Sequence, residues 1–471
     1  MAHIVCITGG LTGIFNASMA LVEQLIAAGH EVTYASPADW RAAVEAQGVA
    51  YVQLDSWVIQ PSERPMSRWQ KLRQLRSRQQ KAVEGLGVDN FAQRMRSLSP
   101  DLLLIDMEMH PHIMAAVEAG FAVGLLCQFL SVWHRPNLPP INSNIVPGKG
   151  WRGSRWGIEL NWLQHGWRKW QEAQRESWRR VGCDRISVLR CYARQIGYGY
   201  RPLRWRGAGW RQWLVPYPHA ALSVLCMNAS ELDFPHEPHP TIHYVGAMVQ
   251  PQRPQLQVSK QTQRQVMDFL AQRSSNNRSL IYCSCSTFVK GNAHFLREVI
   301  AAIATQPQWE LVLGLGGQLS PQALGGLPPR VHAFDWVPQM LLLQHADCAI
   351  HNGGINSLNE CLYHGVPMLI YSLKRYDQDG NAARATYHGL GIAGDIERDD
   401  AKQIGTHLQQ LLSDQGYRQR AEAMSDRIHA YAQDQRAAKA VASLLSAPCS
   451  SGHRTATETV LSLSGAKGGH V

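Results

Sequence analysis

Short, largely apolar runs recur along the chain with helical stretches between them, and the pattern occurs twice. In the first half the runs are HIVCIT from His3, EVTYAS from Glu31, YVQLD from Tyr51, DLLLID from Asp101, FAVGLLC from Phe121 and ALSVLC from Ala221. The second half restarts with SLIYCS from Ser279, WELVLGL from Trp309, VHAFD from Val331, CAIHN from Cys348 and PMLIY from Pro367. A run that is apolar at every position, rather than at alternate ones, predicts a strand buried on both faces. Such strands belong to parallel sheets covered by helices. At 471 residues the chain exceeds what one core usually supports. The expectation is two doubly wound α/β domains facing each other across a cleft. The first would span residues 1–235 and the second 261–447, joined by a connector at 236–260. That connector lies in the Pro- and Gln-rich stretch Asp233–Ser259, and the small, polar tail 448–471 reads as disordered. One helix of mixed charge is expected over Tyr417–Leu445.

The net charge is +10, and its location matters more than its size. Residues 151–213 hold thirteen Arg and one Lys against three Glu and one Asp, together with nine of the fifteen Trp. Outside this segment the chain is nearly neutral. A second basic stretch, RPMSRWQKLRQLRSRQQK, runs from Arg64 to Lys81. Arg with Trp suits the face of an anionic membrane. The same composition also suits a large insertion that packs its Trp inward and leaves its Arg solvated. No nucleic-acid-binding motif is present to make the charge a nucleic-acid footprint.

The N-terminus enters a strand directly, so no secretion signal is expected, and no run of about eighteen uncharged apolar residues offers a membrane span. The ten cysteines show no CxxC pair, and Cys6, Cys127, Cys226 and Cys348 sit in strand-like runs. The expectation is a cytoplasmic chain with reduced, buried thiols, associated with membranes at most peripherally.

The run from Trp336 to Arg384 (WVPQMLLLQHADCAIHNGGINSLNECLYHGVPMLIYSLKRYDQDGNAAR) places polar residues at each turn that follows a strand. In an open α/β sheet those carboxyl-end turns form the ligand crevice. Trp336 can stack on a nucleobase, or be a core Trp. Gln339 is placed for a base or ribose edge. His351, Gly353 and the helix starting near Asn356 can meet an anion with free N–H groups and the positive end of the helix dipole. Ser357 and Glu360 have the spacing of a capping box, and Glu360 could equally clamp a ribose diol. Asp377 and Gln378 suit sugar hydroxyls, or form a solvated turn. Ser284, Ser286 and Thr287 end the first strand of the second half, where hydroxyls can reach phosphate oxygens. No paired acidic motif suggests a metal site, and Asp399-Asp400 reads as a helix N-cap.

Taken together, W-x-P-Q at Trp336, the ordered His351, Gly353, Ser357 and Glu360, G-V-P at Gly365 and D-Q-x-x-N-A at Asp377 resemble a known signature. It is that of the nucleotide-sugar-dependent glycosyltransferase superfamily, which includes plant secondary-product, macrolide and carotenoid glycosyltransferases. Looser similarity extends to GHEVTYASP at Gly29. The resemblance implies a GT-B fold and metal-independent, inverting transfer from a UDP- or TDP-sugar. Trp336 would stack on the base, and Gln339 and Glu360 would hold the ribose. His351, Asn356 and Ser357 would face the diphosphate, and Asp377 and Gln378 the sugar. Gln378 points to UDP-glucose as first choice. The acceptor would be a hydroxylated, apolar small molecule or lipid.

The pattern breaks in the first half. The family usually sets a basic His in the first strand–helix loop and orients it with an acid ending the fourth strand. Here Ile14 stands at the position of the His, while Asp106 keeps that of the acid. Asp106 is the first candidate for handling the proton, with Glu108, His110 or His112 as alternatives. Ser286 where Gly is usual, and an extra residue before Asp377, are lesser departures. The Ile14 substitution also leaves open a nucleotide-sugar-binding partner protein without turnover.

Overall fold

The computed structural model describes residues 1–59, 65–130, 132–199, 222–254, 257–273, 278–284, 293–317 and 319–446. The expected tail at 448–471 lies outside the described residues.

Two open parallel sheets organise the chain. The first contains β1 (His3–Ile7), β2 (Glu31–Ser36), β3 (Ala50–Gln53), β4 (Leu102–Asp106), β5 (Val123–Cys127), β6 (Val224–Cys226) and β7 (Ile242–Tyr244) in the order β3-β2-β1-β4-β5-β6-β7. The second contains β8 (Ser279–Ser284), β9 (Trp309–Gly314), β10 (Val331–Phe334), β11 (Cys348–His351), β12 (Met368–Ile370) and β13 (Gly391–Ala393) in the order β10-β9-β8-β11-β12-β13. Every strand pairing is parallel, as in Cys6 beside Leu104 and Ile350 beside Cys283. In each sheet the strand order reverses once, between β1 and β4 and between β8 and β11. Ligand crevices in such sheets open at the carboxyl ends beside that reversal.

The continuous apolar runs follow from this layering. Successive side chains point to opposite faces of a strand. Leu102 and Leu104 of β4 enter the core beneath the helix Thr12–Ala27, while Leu103 and Ile105 enter the core on the other face. A polar side chain within β4 would therefore be buried on whichever face it stood. Only the strand's end, at Asp106, is free to carry chemistry.

Two short strands escape the sequence reading. Both β7 and β13 are three residues long, too short to show a period. β7 lies within the stretch expected to be an extended connector, where it forms the edge of the first sheet. The helix expected over Tyr417–Leu445 is two helices, Gln415–Gln433 and Arg436–Ser446. They break at Gln435, whose φ of 53° is left-handed. The second of them returns to the first sheet, where Ala437 and Val441 join Ile4, Ile14 and Leu104 in one core. Gly124 makes room for it, since a Cβ there would lie 2.9 Å from Leu444. Among the described residues no helix is long and apolar enough to cross a membrane.

The seam between the sheets is polar and well paired. Arg384 donates Nε–H to Asp233 at 2.7 Å, with neither side chain exposed. Its guanidinium lies 4.6 Å from the Phe234 ring centroid. Asn359 donates to Asn228 at 2.8 Å, and Tyr431 donates its hydroxyl to Glu231 at 2.7 Å. At Gly380 a Cβ would meet the Ile141 carbonyl at 1.7 Å, so only glycine allows this approach. Removing one partner of a buried pair leaves an uncompensated charge, which costs about 3–5 kcal/mol. Arg384→Met should lose that much in urea-unfolding free energy, and the double variant Arg384→Met/Asp233→Leu should recover most of it. Equal losses in both variants would mean that the ion pair is not the source of the effect.

Candidate active site

The two reversals face one another. From the first sheet, Asp106 ends β4 and is 7% exposed. Its Oδ1 accepts from the Glu108 N–H at 3.0 Å, and its Oδ2 lies 3.4 Å from the Gly9 N–H at the end of β1. Burial, followed by the nearby Glu108 carboxylate, pushes Asp106 up to about 7. Burial also raises half-buried Glu108, opposed by Arg185. Two interacting carboxylates titrate as a pair, so one holds a proton where both would otherwise be ionised.

From the second sheet, β11 ends at His351, and the helix Ile355–Tyr363 begins after a Gly353-Gly354 turn. Gly353 has φ 79°, and a Cβ there would lie 3.0 Å from the Gln378 carbonyl. Gly354 caps this helix without any side-chain hydrogen bond, so Ser357 and Glu360 do not form a capping box. The first-turn N–H groups are therefore left for a ligand, at the positive end of the dipole. Asn356, in that first turn, reaches across the cleft, with its Nδ2 2.5 Å from where a Gly13 Cβ would be.

His351 is enclosed at the strand end, while half-buried Asn352 stands nearer the opening. The sequence reading passed over Asn352 in favour of its neighbour. The Gly353 N–H donates to His351 Nδ1 at 3.0 Å, which sets the ring's proton on Nε2. That Nε2–H has no hydrogen-bond partner among the described residues. Burial lowers the imidazole to about 4, so it is neutral near pH 7 and acts as a donor rather than a cation.

A hydrogen-bonded chain occupies the place expected for the ribose. The Tyr282 hydroxyl donates to Gln339 at 3.0 Å, and Gln339 donates in turn to Glu360. Arg253, from the connector, forms an ion pair with the same Glu360 carboxylate. This contact spans 107 residues of sequence and has no local signal. Half-buried Trp336 stands against Gly317, where a Cβ would lie 3.1–3.3 Å from the indole. Ser284, at the end of β8, is hydrogen-bonded to Tyr282. Thr287 and Ser286 lie outside the described residues.

Asp377 and Gln378 are brought to the same crevice, but they already have local partners. Asp377 accepts from Asn381 at 2.8 Å, and Asn381 also donates to the Gly353 carbonyl at 2.9 Å, tying the two loops together. Burial pushes Asp377 up to about 6, and Glu108 adds to the rise from across the seam. Gln378 Oε1 accepts from the Leu373 N–H at 2.9 Å. In the loop before Asp377, Lys374 and Tyr376 both take positive φ, at 57° and 50°. Each such residue stores about 1–2 kcal/mol of strain. Asp400 does cap its helix, accepting from Gln403 N–H at 2.9 Å.

The first-loop substitution stands, while two of the alternative bases need revision. Ile14 is 1% exposed and packs in the core, so the position of the usual base is filled by an apolar side chain. His112 is also fully enclosed, against the ring edges of Trp57 and Phe91 at 5.7 and 5.1 Å. Burial lowers it to about 3, which removes it as an accessible base. His110 is equally buried. The carboxylates Asp106 and Glu108 remain at the cleft.

A cavity of about 620 Å³ opens on the neighbouring face of the helix Gln378–Tyr387, between Asn144–Arg152 and Asp379, Asp395 and His407. Its lining includes none of Trp336, Gln339, His351 or Glu360, so it adjoins the crevice at the second reversal rather than being it.

Comparison with known proteins agrees with this geometry. Residues 297–444 match the family model described as "Erythromycin biosynthesis protein CIII-like, C-terminal domain". The oleandomycin glycosyltransferase of Streptomyces antibioticus is 25% identical over 402 residues, covering 85% of this chain and 80% of that protein. The solved glycosyltransferase of kitacinnamycin aligns with a TM-score of 0.64 at 20% identity, over 94% of this chain and 99% of that one. The glycosyltransferase VinC in complex with dTDP aligns with a TM-score of 0.59 at 17% identity, over 94% and 98%. Two facing parallel-sheet domains and these relatives converge: the chain has the GT-B fold and is similar over most of its length to nucleotide-sugar-dependent glycosyltransferases.

Proposed function

We propose that this protein transfers a hexose, glucose as first choice, from UDP to a hydroxyl of an apolar small-molecule or lipid-like acceptor. The observation that carries the reading is the opposition of two groups across one cleft. The uncapped helix start, whose Asn356 approaches Gly13, lies on one side, and the Asp106–Glu108 pair, held beside Gly9, lies on the other.

In the proposed reaction the acceptor oxygen attacks the anomeric carbon from the face opposite the diphosphate. A new C–O bond forms as the bond to the diphosphate oxygen breaks, so the configuration inverts. UDP leaves with the electron pair, and the carboxylate pair takes the acceptor's proton. Helix-start amides and the neutral His351 donor stabilise the charge on the leaving diphosphate, so a metal is not required. Glu360 and Gln339 hold the ribose, with Arg253 sharing the Glu360 carboxylate. Trp336 stacks on the base, and Asp377 and Gln378 meet the sugar hydroxyls by exchanging their local partners.

The pH dependence has a definite sign. Only the ionised carboxylate can accept a proton, so kcat/KM should rise with pH through an apparent pKa near 7, matching the raised Asp106. Asp106→Asn should remove that limb and cost roughly 10²–10⁴-fold in rate. A profile still rising through 7 in that variant would put the base elsewhere.

The donor site is tested by UDP release from a panel of UDP- and TDP-sugars, with and without hydroxylated acceptors. Asp377→Asn and Glu360→Gln should each raise the donor KM by about tenfold or more, the loss of about one charge-assisted hydrogen bond. A second reading, a nucleotide-sugar-binding partner without turnover, is favoured by the burial of Ile14 in the core. Donor binding in calorimetry with no acceptor-dependent UDP release would select it.

A further inference from the structure

The helix Arg155–Arg180 has two apolar faces. One faces inward through Ile158, Trp162 and His165. Trp162 is fully enclosed there and donates its indole N–H to the Leu138 carbonyl at 2.6 Å. At 3.6 residues per turn, positions 156, 160, 163, 167 and 178 fall on one stripe, opposite 158, 162 and 165. These are Trp156, Leu160, Leu163, Trp167 and Trp178, all exposed, with Trp156 at 80% and Trp178 at 65%. At 1.5 Å per residue the stripe runs about 33 Å. Beside it, exposed Arg168, Arg175 and Arg179 recur at intervals of seven and four, forming a cationic row along one edge.

The second basic stretch extends this face. The helix Arg68–Arg73 presents Trp69, 81% exposed, and Leu72. Its Arg68 guanidinium lies 3.4 Å from the Trp178 ring centroid. Lys71 donates to the Arg179 carbonyl at 2.8 Å, and Arg78 donates to the Arg180 carbonyl at 2.6 Å. Two basic segments separated by about a hundred residues thus form one surface.

Single exposed apolar residues are ordinary, but a row of them is not. Indoles in a line, edged by guanidiniums, match a boundary that is apolar on one side and anionic on the other. We propose that this face docks on an anionic lipid surface, with the Trp/Leu stripe entering the headgroup–acyl boundary and the Arg row meeting lipid phosphates. Docking would bring the transferase to acceptors dissolved in the membrane. The docking itself does not depend on the transfer reading, because it is measured without turnover.

The test is co-sedimentation of the full chain with vesicles of phosphatidylcholine alone, or mixed with phosphatidylglycerol, at low and high salt. The mixed vesicles should bind at least about tenfold more tightly, and added salt should weaken binding steeply. Trp156→Ser/Leu163→Ser and, separately, Arg168→Glu/Arg175→Glu should each lose about tenfold in vesicle binding. The circular dichroism spectrum and urea-unfolding midpoint should be unchanged in both, which verifies folding. Equal binding to both vesicles, or to neither, by folded protein overturns the proposal. Concentration-dependent self-association abolished by the Trp156 and Leu163 changes would overturn it too, since a second copy would then be the occupant. Tighter binding to duplex DNA than to the mixed vesicles would likewise assign the cations to nucleic acid.

Discussion

The buried contact between Arg384 and Asp233 sets the geometry on which everything in the cleft depends. Neither side chain reaches solvent, and Arg384 lies on the same helix as Gln378 and Asn381. Asn381 in turn holds both Asp377 and the Gly353 carbonyl. The ion pair therefore anchors to the first domain the helix that arranges the second domain's binding loops. Buried charges are expensive unless the geometry is met. The two sheets can settle into this pairing in few other relative positions.

The chemistry follows from where polar groups are allowed. Both faces of each central strand are packed, so functional side chains collect at strand ends. Asp106, His351 and Ser284 each occupy the last residue of a strand beside a reversal in strand order. The same burial that protects these groups alters their protonation. It raises the carboxylates of Asp106 and Asp377 and keeps the imidazole of His351 neutral. Groups held this way change protonation nearer neutrality than free carboxyls do, although Ile14 leaves the first loop without an imidazole.

Much of this was legible in the sequence, for physical reasons. Strands buried on both faces announce themselves as continuous apolar runs, and eleven of the thirteen described strands fall on the runs read from the sequence. The short edge strands β7 and β13 carried no period and were invisible. The donor segment was readable because the turns between its strands and helices have restricted lengths. Contacts that close the site were not readable. Arg253 meets Glu360, and Asn228 meets Asn359, across more than a hundred residues. The fate of the first-loop position was half legible: Ile14 was visible as a substitution, but only the packing shows it turned into the core. The Trp/Arg segment was ambiguous because it does both things at once, with Trp162 packed inward and Trp156 outward from one helix.

The return of the last helix to the first sheet has a mechanical consequence. The chain crosses from one domain to the other twice, once through the connector after β7 and again at Gln435, where the backbone turns left-handed between two helices. A body held by a single strap can swing and twist about it. Here the second body is fastened to the first at both ends of its own sequence, and the two fastenings meet: Gly246 packs on Tyr431 so closely that a Cβ there would lie 2.5 Å from it. With the Arg384–Asp233 pair between them, the links share the task of keeping the helix start at Ile355 in one register with the first sheet.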